Sequence, residues 1–145
     1  VRRAHAHHLP VLVDAAAAHL VRDPAQFGTL VTTNMFGDIL SDLASELSGG
    51  LGLAGSLNLG ARHAVAQAQH GSAPDLAGQD AANPTSLLLS VAMLLRHLKE
   101  RSAGQRLESA VAAALTSDAR TPDVGGSGTT DSFADAVIAA MDAAA

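Results

Sequence analysis

The stretch Thr29-Leu30-Val31-Thr32-Thr33-Asn34-Met35-Phe36-Gly37-Asp38-Ile39-Leu40-Ser41-Asp42 changes character halfway along. Its first five residues are β-branched or apolar and read as a buried strand. From Met35 to Leu47 the apolar positions Phe36, Ile39, Leu40, Leu43 and Leu47 fall at helical spacing, and Ser48-Gly49-Gly50 ends the run. Upstream, Val11-Leu12-Val13 follows Pro10 and reads as another strand. Asp14 and the helix-forming run Ala15-Ala16-Ala17-Ala18-His19-Leu20-Val21 come next, stopped by Asp23-Pro24. The two expected strands are separated by more than the dozen residues that a parallel crossover needs. The expectation is an α/β fold: a βαβ portion followed by a mainly helical half.

The second half supports that division. Leu51 to Gly60 is rich in glycine and reads as a connector or short strand, the best candidate for a domain crossing. Polar loop residues collect between His70 and Pro84. Asn83-Pro84 then suits the N-cap and first position of the longest helix, with Leu87, Leu88, Val91, Leu94, Leu95 and Leu98 as its expected buried face. A shorter helix carries Leu107, Val111 and Leu115. Thr121 to Gly128 is a loop, and a last helix after Thr129-Thr130 buries Phe133, Val137, Ile138 and Met141. This reading makes the second half entirely helical.

Composition narrows the function. With 145 residues and 48% hydrophobic residues, the chain can bury a real core and is not of disordered type. Aromatics make up only 2%, so small side chains must pack closely. Absence of cysteine excludes disulfides and thiol chemistry and fits a cytoplasmic protein. The net charge is −5 and the nine basic residues are scattered, Arg2-Arg3 being the one adjacent pair. No basic stripe exists for a phosphate backbone, so nucleic acid is not an expected partner. Neither a membrane span nor a signal peptide is evident. A first residue other than Met suggests a start inside a longer reading frame.

Three segments carry candidate chemistry. Asp38 and Asp42 are four apart in an expected helix and share a face. Such carboxylates suit a hard divalent ion, but from spacing alone the macrodipole of a first helical turn is the better explanation. Asp14 lies just after an expected strand, where α/β sites collect polar groups, and it also suits a helix N-cap. His70-Gly71-Ser72-Ala73-Pro74-Asp75 lets backbone approach a ligand closely. Asp75 could accept from a ribose diol and His70 could meet a base, although an ordinary Gly/Pro turn has the same composition. His5, His7 and His8 read as a solvated stretch or a metal tract.

Taken in order, four motifs resemble one family. They are Val13-Asp14-Ala15 with His19-Leu20-Val21; Thr32 to Asp42; His70 to Gly78 with Ala82-Asn83-Pro84; and Thr121-Pro122-Asp123-Val124-Gly125-Gly126. The sequence is similar to the C-terminal part of the isopropylmalate/isocitrate dehydrogenases, which include tartrate and homoisocitrate enzymes. The similarity runs over roughly positions 10–142, and four ordered motifs are more specific than any one alone.

The resemblance implies a metal-dependent, NAD-linked oxidation and decarboxylation of a 2-hydroxy diacid. It implies Asp38 and Asp42 as Mg²⁺ or Mn²⁺ ligands, with Asp14 supplied by a partner subunit, and hence a homodimer. Asn34 would lie near the cofactor, and His70, Gly71, Ser72, Ala73, Asp75 and Asn83 would line its adenosine end. A carboxylate at position 75, where NADP-preferring relatives carry a basic residue, favours NAD. Residues 1–50 would belong to a dimerisation and metal-site domain, and 51–145 to the C-terminal half of a cofactor domain.

The departures are equally informative. The family's catalytic Tyr and Lys and its Arg cluster precede this segment, so no catalytic residue is expected here. The chain has no Tyr, and its one Lys is Lys99. Gln67 stands where many members have Glu, and Gly55 where many have Pro. Uncovered strand edges and apolar helix faces would call for another polypeptide or self-association. The competing expectation is a truncated, non-catalytic paralogue serving as an oligomerisation or regulatory module, or one that retains only nucleotide affinity.

Overall fold

A computed structural model describes residues 10–143. The readings of Arg2-Arg3 and of His5, His7 and His8 lie outside the described residues. Two compact units divide after Leu47.

The first unit is a helix pair, α1 (Val13–Arg22) and α2 (Asn34–Leu47). The alanine run makes α1, with Asp14 in its first turn and His19 and Arg22 in its last, each favourable to the macrodipole. The Asp23 N–H donates to the His19 carbonyl at 2.8 Å, and Pro24 stops the helix. Ala16, Leu20 and Leu40 are the buried centre, flanked by Val13, Ala17, Phe27 and Leu43. The small Ala16 and Ala17 let the two helices approach closely.

The mixed α/β class stands, but of the expected strands the one within Leu51–Gly60 forms and the two flanking the alanine run do not. Val13 already begins α1, and residues 29–33 pair with no strand among the described residues. The βαβ crossover is therefore not formed here. A strand is defined by its partner, and no adjacent strand is offered to this run. Val31 is 94% exposed in consequence.

The second unit begins with a 3-10 turn (Leu51–Leu53) and an antiparallel hairpin, β1 (Gly55–Leu59) and β2 (Ala64–Ala68). Its register runs from Gly55 opposite Ala68 to Leu59 opposite Ala64. The hairpin corrects the all-helical expectation for this half. It lies over α3 (Thr85–His97), followed by α4 (Arg101–Leu115) and α5 (Thr130–Ala143). Among the described residues the longest helix is α4, not α3.

The expected leucine stripe of α3 is met in part: Leu88, Val91 and Leu95 pack against the core, but the most deeply buried positions are small residues. Thr85, Ser86, Ser90 and Ala92 are fully enclosed, whereas Leu87 and Leu98 are exposed. Small residues face the hairpin because the hairpin lies close. A Cβ on Gly55 would come within 3.2 Å of the Leu89 backbone. Two serines then fasten the hairpin. Ser86 Oγ donates to the Ala54 carbonyl (2.5 Å) and accepts from the Gln69 N–H (3.0 Å). Ser90 Oγ donates to the Gln67 carbonyl (2.7 Å) and accepts from the Ser56 N–H (2.9 Å). Enclosed hydroxyls satisfied in this way avoid a desolvation penalty of about 1–3 kcal/mol each. Beneath, Ala92, Leu107, Ala110, Val111, Ala114, Phe133 and Val137 form one core. Ile138, expected inside, is 58% exposed.

Candidate cofactor and metal sites

In the first unit the chemistry lies on the outer face of α2. Asn34, Asp38 and Asp42 succeed one another at four-residue intervals and are all exposed, while Leu40 and Leu43 turn inward. Asn34 Nδ2 donates to Asp38 Oδ2 at 3.2 Å, which restricts the Asp38 carboxylate. Ser41 Oγ donates to the Asp38 carbonyl and Ser45 Oγ to the Ser41 carbonyl, so both hydroxyls are used inside the helix. Asp14 is on α1 and exposed, and its Oδ1 accepts from the Ala15 N–H at 2.8 Å. It does not cap α1, because Leu12 holds that position without a side-chain bond. Among the described residues, no three His, Cys, Asp or Glu side chains gather into a group able to hold a metal ion. Asp38 and Asp42 are hard oxygen donors of the type that Mg²⁺ and Mn²⁺ take, and two carboxylates leave the rest of an octahedral shell to other ligands.

In the second unit His70, Gly71, Ser72, Ala73 and Asp75 share one loop, and every residue from His70 to Asp80 is exposed. His70 Nδ1 lies 2.8 Å from the Gly71 carbonyl. Ala73 adopts a left-handed conformation (φ 41, ψ 61), after which Pro74–Leu76 forms a 3-10 turn. Alanine has a Cβ and bears the ordinary left-handed penalty of roughly 1–2 kcal/mol there. The Asp75 carbonyl accepts from Gln79 Nε2 at 2.5 Å. This bond fixes the backbone and leaves the carboxylate on the exposed side of the chain.

Asn83 is placed differently from the other expected ligand residues. It is 7% exposed, and its side chain has two internal partners. Its Oδ1 accepts from the Thr85 N–H at 3.0 Å, the first N–H of α3, although the cap position itself falls one residue later than expected, on Pro84. Its Nδ2 donates to Asp123 Oδ2 at 3.0 Å, and Thr121 Oγ1 donates to Asp123 Oδ1 at 2.5 Å. The loop from Thr121 to Gly128 is thereby tied to the start of α3. Nothing in the local sequence marks Asp123 as the partner of a residue forty positions earlier. Asp80, Gln79 and Ser86 were likewise missed; each acts through a bond to a distant or main-chain group. No helix among the described residues is long and apolar enough to cross a membrane.

The family model described as isocitrate/isopropylmalate dehydrogenase matches residues 5–137. An isocitrate/homoisocitrate dehydrogenase of Thermus thermophilus is 52% identical over 131 residues, covering 90% of this chain and 39% of the relative. The catalytic subunit 6 of a mitochondrial NAD isocitrate dehydrogenase of Arabidopsis thaliana is 48% identical over 129 residues, covering 88% of this chain and 34% of that one. The crystal structure of isocitrate dehydrogenase from Methylococcus capsulatus superposes with a TM-score of 0.86 at 43% identity, over 89% of this chain and 39% of that one. The chain thus spans about two fifths of the length of the relatives it matches.

Proposed function

Because the chain belongs to the isocitrate/isopropylmalate dehydrogenase family, we propose that it supplies the metal-ligand helix and the adenosine loop of an NAD-linked enzyme. That enzyme oxidises and decarboxylates a 2-hydroxy diacid in the cytoplasm. The observation that carries this reading is the exposed Asp38–Asp42 pair on α2, within a family match that also spans the exposed His70–Asp80 loop.

Asp38 and Asp42 hold Mg²⁺ or Mn²⁺, with Asn34 orienting the Asp38 carboxylate. The ion, when bound, supplies Lewis acidity for negative charge that develops on substrate oxygens. Asp14 completes the donor set from a second copy of the chain. Leu12, Val31, Met35 and Ile39 of the first unit are exposed at 77, 94, 62 and 56%, which supports its being covered by that copy. In the loop, Gly71, Ser72 and Ala73 admit the adenosine close to the backbone and His70 meets the base. Asp75 accepts hydrogen bonds from the ribose hydroxyls and repels a 2′-phosphate. Asn83 shapes the floor of this loop from its buried position. None of these residues moves a proton. The chain has no Tyr, and Lys99 sits in the left-handed turn between α3 and α4 (φ 74). The acid–base groups come from residues outside this segment.

Isothermal titration of the 145-residue chain tests the cofactor half. NAD should saturate it and NADP should bind more weakly. Asp75→Ala should weaken NAD by about tenfold, the loss of one to two hydrogen bonds, and narrow the NAD/NADP difference. Absence of saturation at millimolar NAD would count against the reading. Steady NADH production from a 2-hydroxy diacid by the pure chain would contradict the assignment of proton transfer to residues elsewhere.

A further inference from the structure

The exposed loop has to be held in one conformation to meet a nucleotide, and its own sequence does little to hold it. Gly78 and Asp80 both adopt positive φ (77 and 51), so the loop turns through two left-handed residues within three positions. Glycine does this without strain; for Asp the conformation is less favourable and needs outside support.

That support comes from the first turn of α5. A helix begins with unpaired N–H groups, and here each of the first four has a partner. The Thr130 N–H donates to the Asp80 carbonyl (3.0 Å) and the Asp131 N–H to Asp80 Oδ1 (3.1 Å). The Ser132 N–H donates to Thr129 Oγ1 (3.1 Å) and the Phe133 N–H to the Thr129 carbonyl (3.0 Å). Asp80 thus takes two of the four with one residue, and its negative charge sits at the positive end of the helix dipole. Thr130 Oγ1 adds a bond to the Ala82 carbonyl (2.6 Å). The next residue back, Gln79, reaches from this fixed backbone to hold the Asp75 carbonyl. A continuous path therefore runs from the α5 N-terminus through Asp80 and Gln79 to Asp75.

We propose that Asp80 is a positioning residue for the nucleotide loop, fixing Asp75 through Gln79 by closing the N-terminus of α5. The proposal rests on the assignment of this loop to NAD. It makes the last helix part of the cofactor site without contact to the cofactor. It also accounts for an acid, not glycine, at a left-handed position, since glycine has no side-chain acceptor for the Asp131 N–H.

Hydrogen exchange and NAD titration on the full chain test it together. Asp80→Ala should speed exchange at Leu76, Ala77 and Gln79, whose N–H groups bond within the loop, and at Thr130 and Asp131. It should raise the dissociation constant for NAD about tenfold, as expected for losing the cap and its ordering effect. Asp80→Asn keeps an oxygen acceptor and should stay within about threefold of the parent chain. Asp135→Ala, an exposed acid farther along α5, should change neither readout. Gln79→Ala leaves the cap whole; it should weaken NAD without altering exchange in α5, and it decides the matter if Asp80→Ala does not fold. Unchanged loop exchange and NAD affinity in Asp80→Ala, unchanged NAD affinity in Gln79→Ala, or equal effects from Asp135→Ala would overturn the proposal. Should the parent chain fail to bind NAD at all, the nucleotide assignment falls, while the exchange comparison still decides whether Asp80 holds the loop.

Discussion

Phe133→Ala should destabilise the second unit by about 3–5 kcal/mol, the usual cost of emptying a fully enclosed aromatic site. Phe133 is 0% exposed and stands among Ala92, Leu107, Ala110, Val111, Ala114 and Val137. Three of those six neighbours are alanines, which cannot extend into a vacated ring. The hole would stay open, so the cost falls toward the upper end of the range. In a core with so few aromatics this one ring fills a large share of the volume. Set against a typical domain stability of about 5–15 kcal/mol, the variant is left close to unfolding. Urea titration checks this: the midpoint should fall sharply with the slope unchanged. A midpoint near that of the parent chain would show that the core does not depend on the ring.

The second large effect is expected at Gly126. A Cβ there would lie 2.0 Å from the Arg120 carbonyl oxygen and 2.4 Å from its carbon. Both obstacles are backbone, so no rotamer change relieves the clash. The segments cannot simply part, because the Gly126 N–H donates to the Thr121 carbonyl (3.0 Å) and the Gly128 N–H to the Arg120 carbonyl (2.6 Å). Gly126→Ala should cost about 3 kcal/mol or more, at the high end for overpacking. Gly125 is the informative contrast. It has φ 76, yet a Cβ would meet nothing within 4 Å. Gly125→Ala should cost only the left-handed penalty of roughly 1–2 kcal/mol. Thermal unfolding of the two variants should therefore rank Gly126→Ala well below Gly125→Ala, and the reverse order would refute the close-approach argument. The same loop carries Asp123, which holds Asn83, so Gly126→Ala should also loosen the start of α3.

The helices were legible in the sequence because their information is local. The alanine run of α1 and the apolar spacing of α2 and α5 repeat every few residues. Asn83 before Pro84 marks a helix start in two letters, and α3 does begin at Thr85, whose N–H donates to Asn83 Oδ1. Of the strands only β1 was foreshadowed, as the connector or short strand at Leu51 to Gly60, and the rest were not legible, for two opposite reasons. Thr29 to Thr33 has the composition of a strand, but pairing is a property of a second segment and none is offered among the described residues. Ala64–Ala68 has alanine and glutamine where a strand favours β-branched residues, yet it pairs with β1 because Ser86 and Ser90 hold the hairpin from below. The same seating turned the small residues of α3 inward and left Leu87 and Leu98 outside.

The candidate sites divide along the same line. Asp38 and Asp42 could be paired from spacing alone, since four residues return a helix to the same face. The loop from His70 to Asp75 could be recognised as one exposed segment. What could not be read were the bonds that hold it. Asn83 meets Asp123 and Asp80 meets Asp131 only after the chain has folded back over 40 and 51 residues. Acids in such positions look like ordinary surface residues until their partners are known.

The central claim, that the α2 carboxylates hold a divalent ion for an NAD-linked oxidation, is tested most directly by Mn²⁺ titration. The free-ion electron paramagnetic resonance signal would be followed in the parent chain and in the Asp38→Asn/Asp42→Asn variant, with helix content matched by circular dichroism. Saturable binding by the parent, weakened at least about tenfold in the variant, is the predicted result, since amides replace the charged ligands without changing their shape. Equal Mn²⁺ binding by the two folded chains would contradict it.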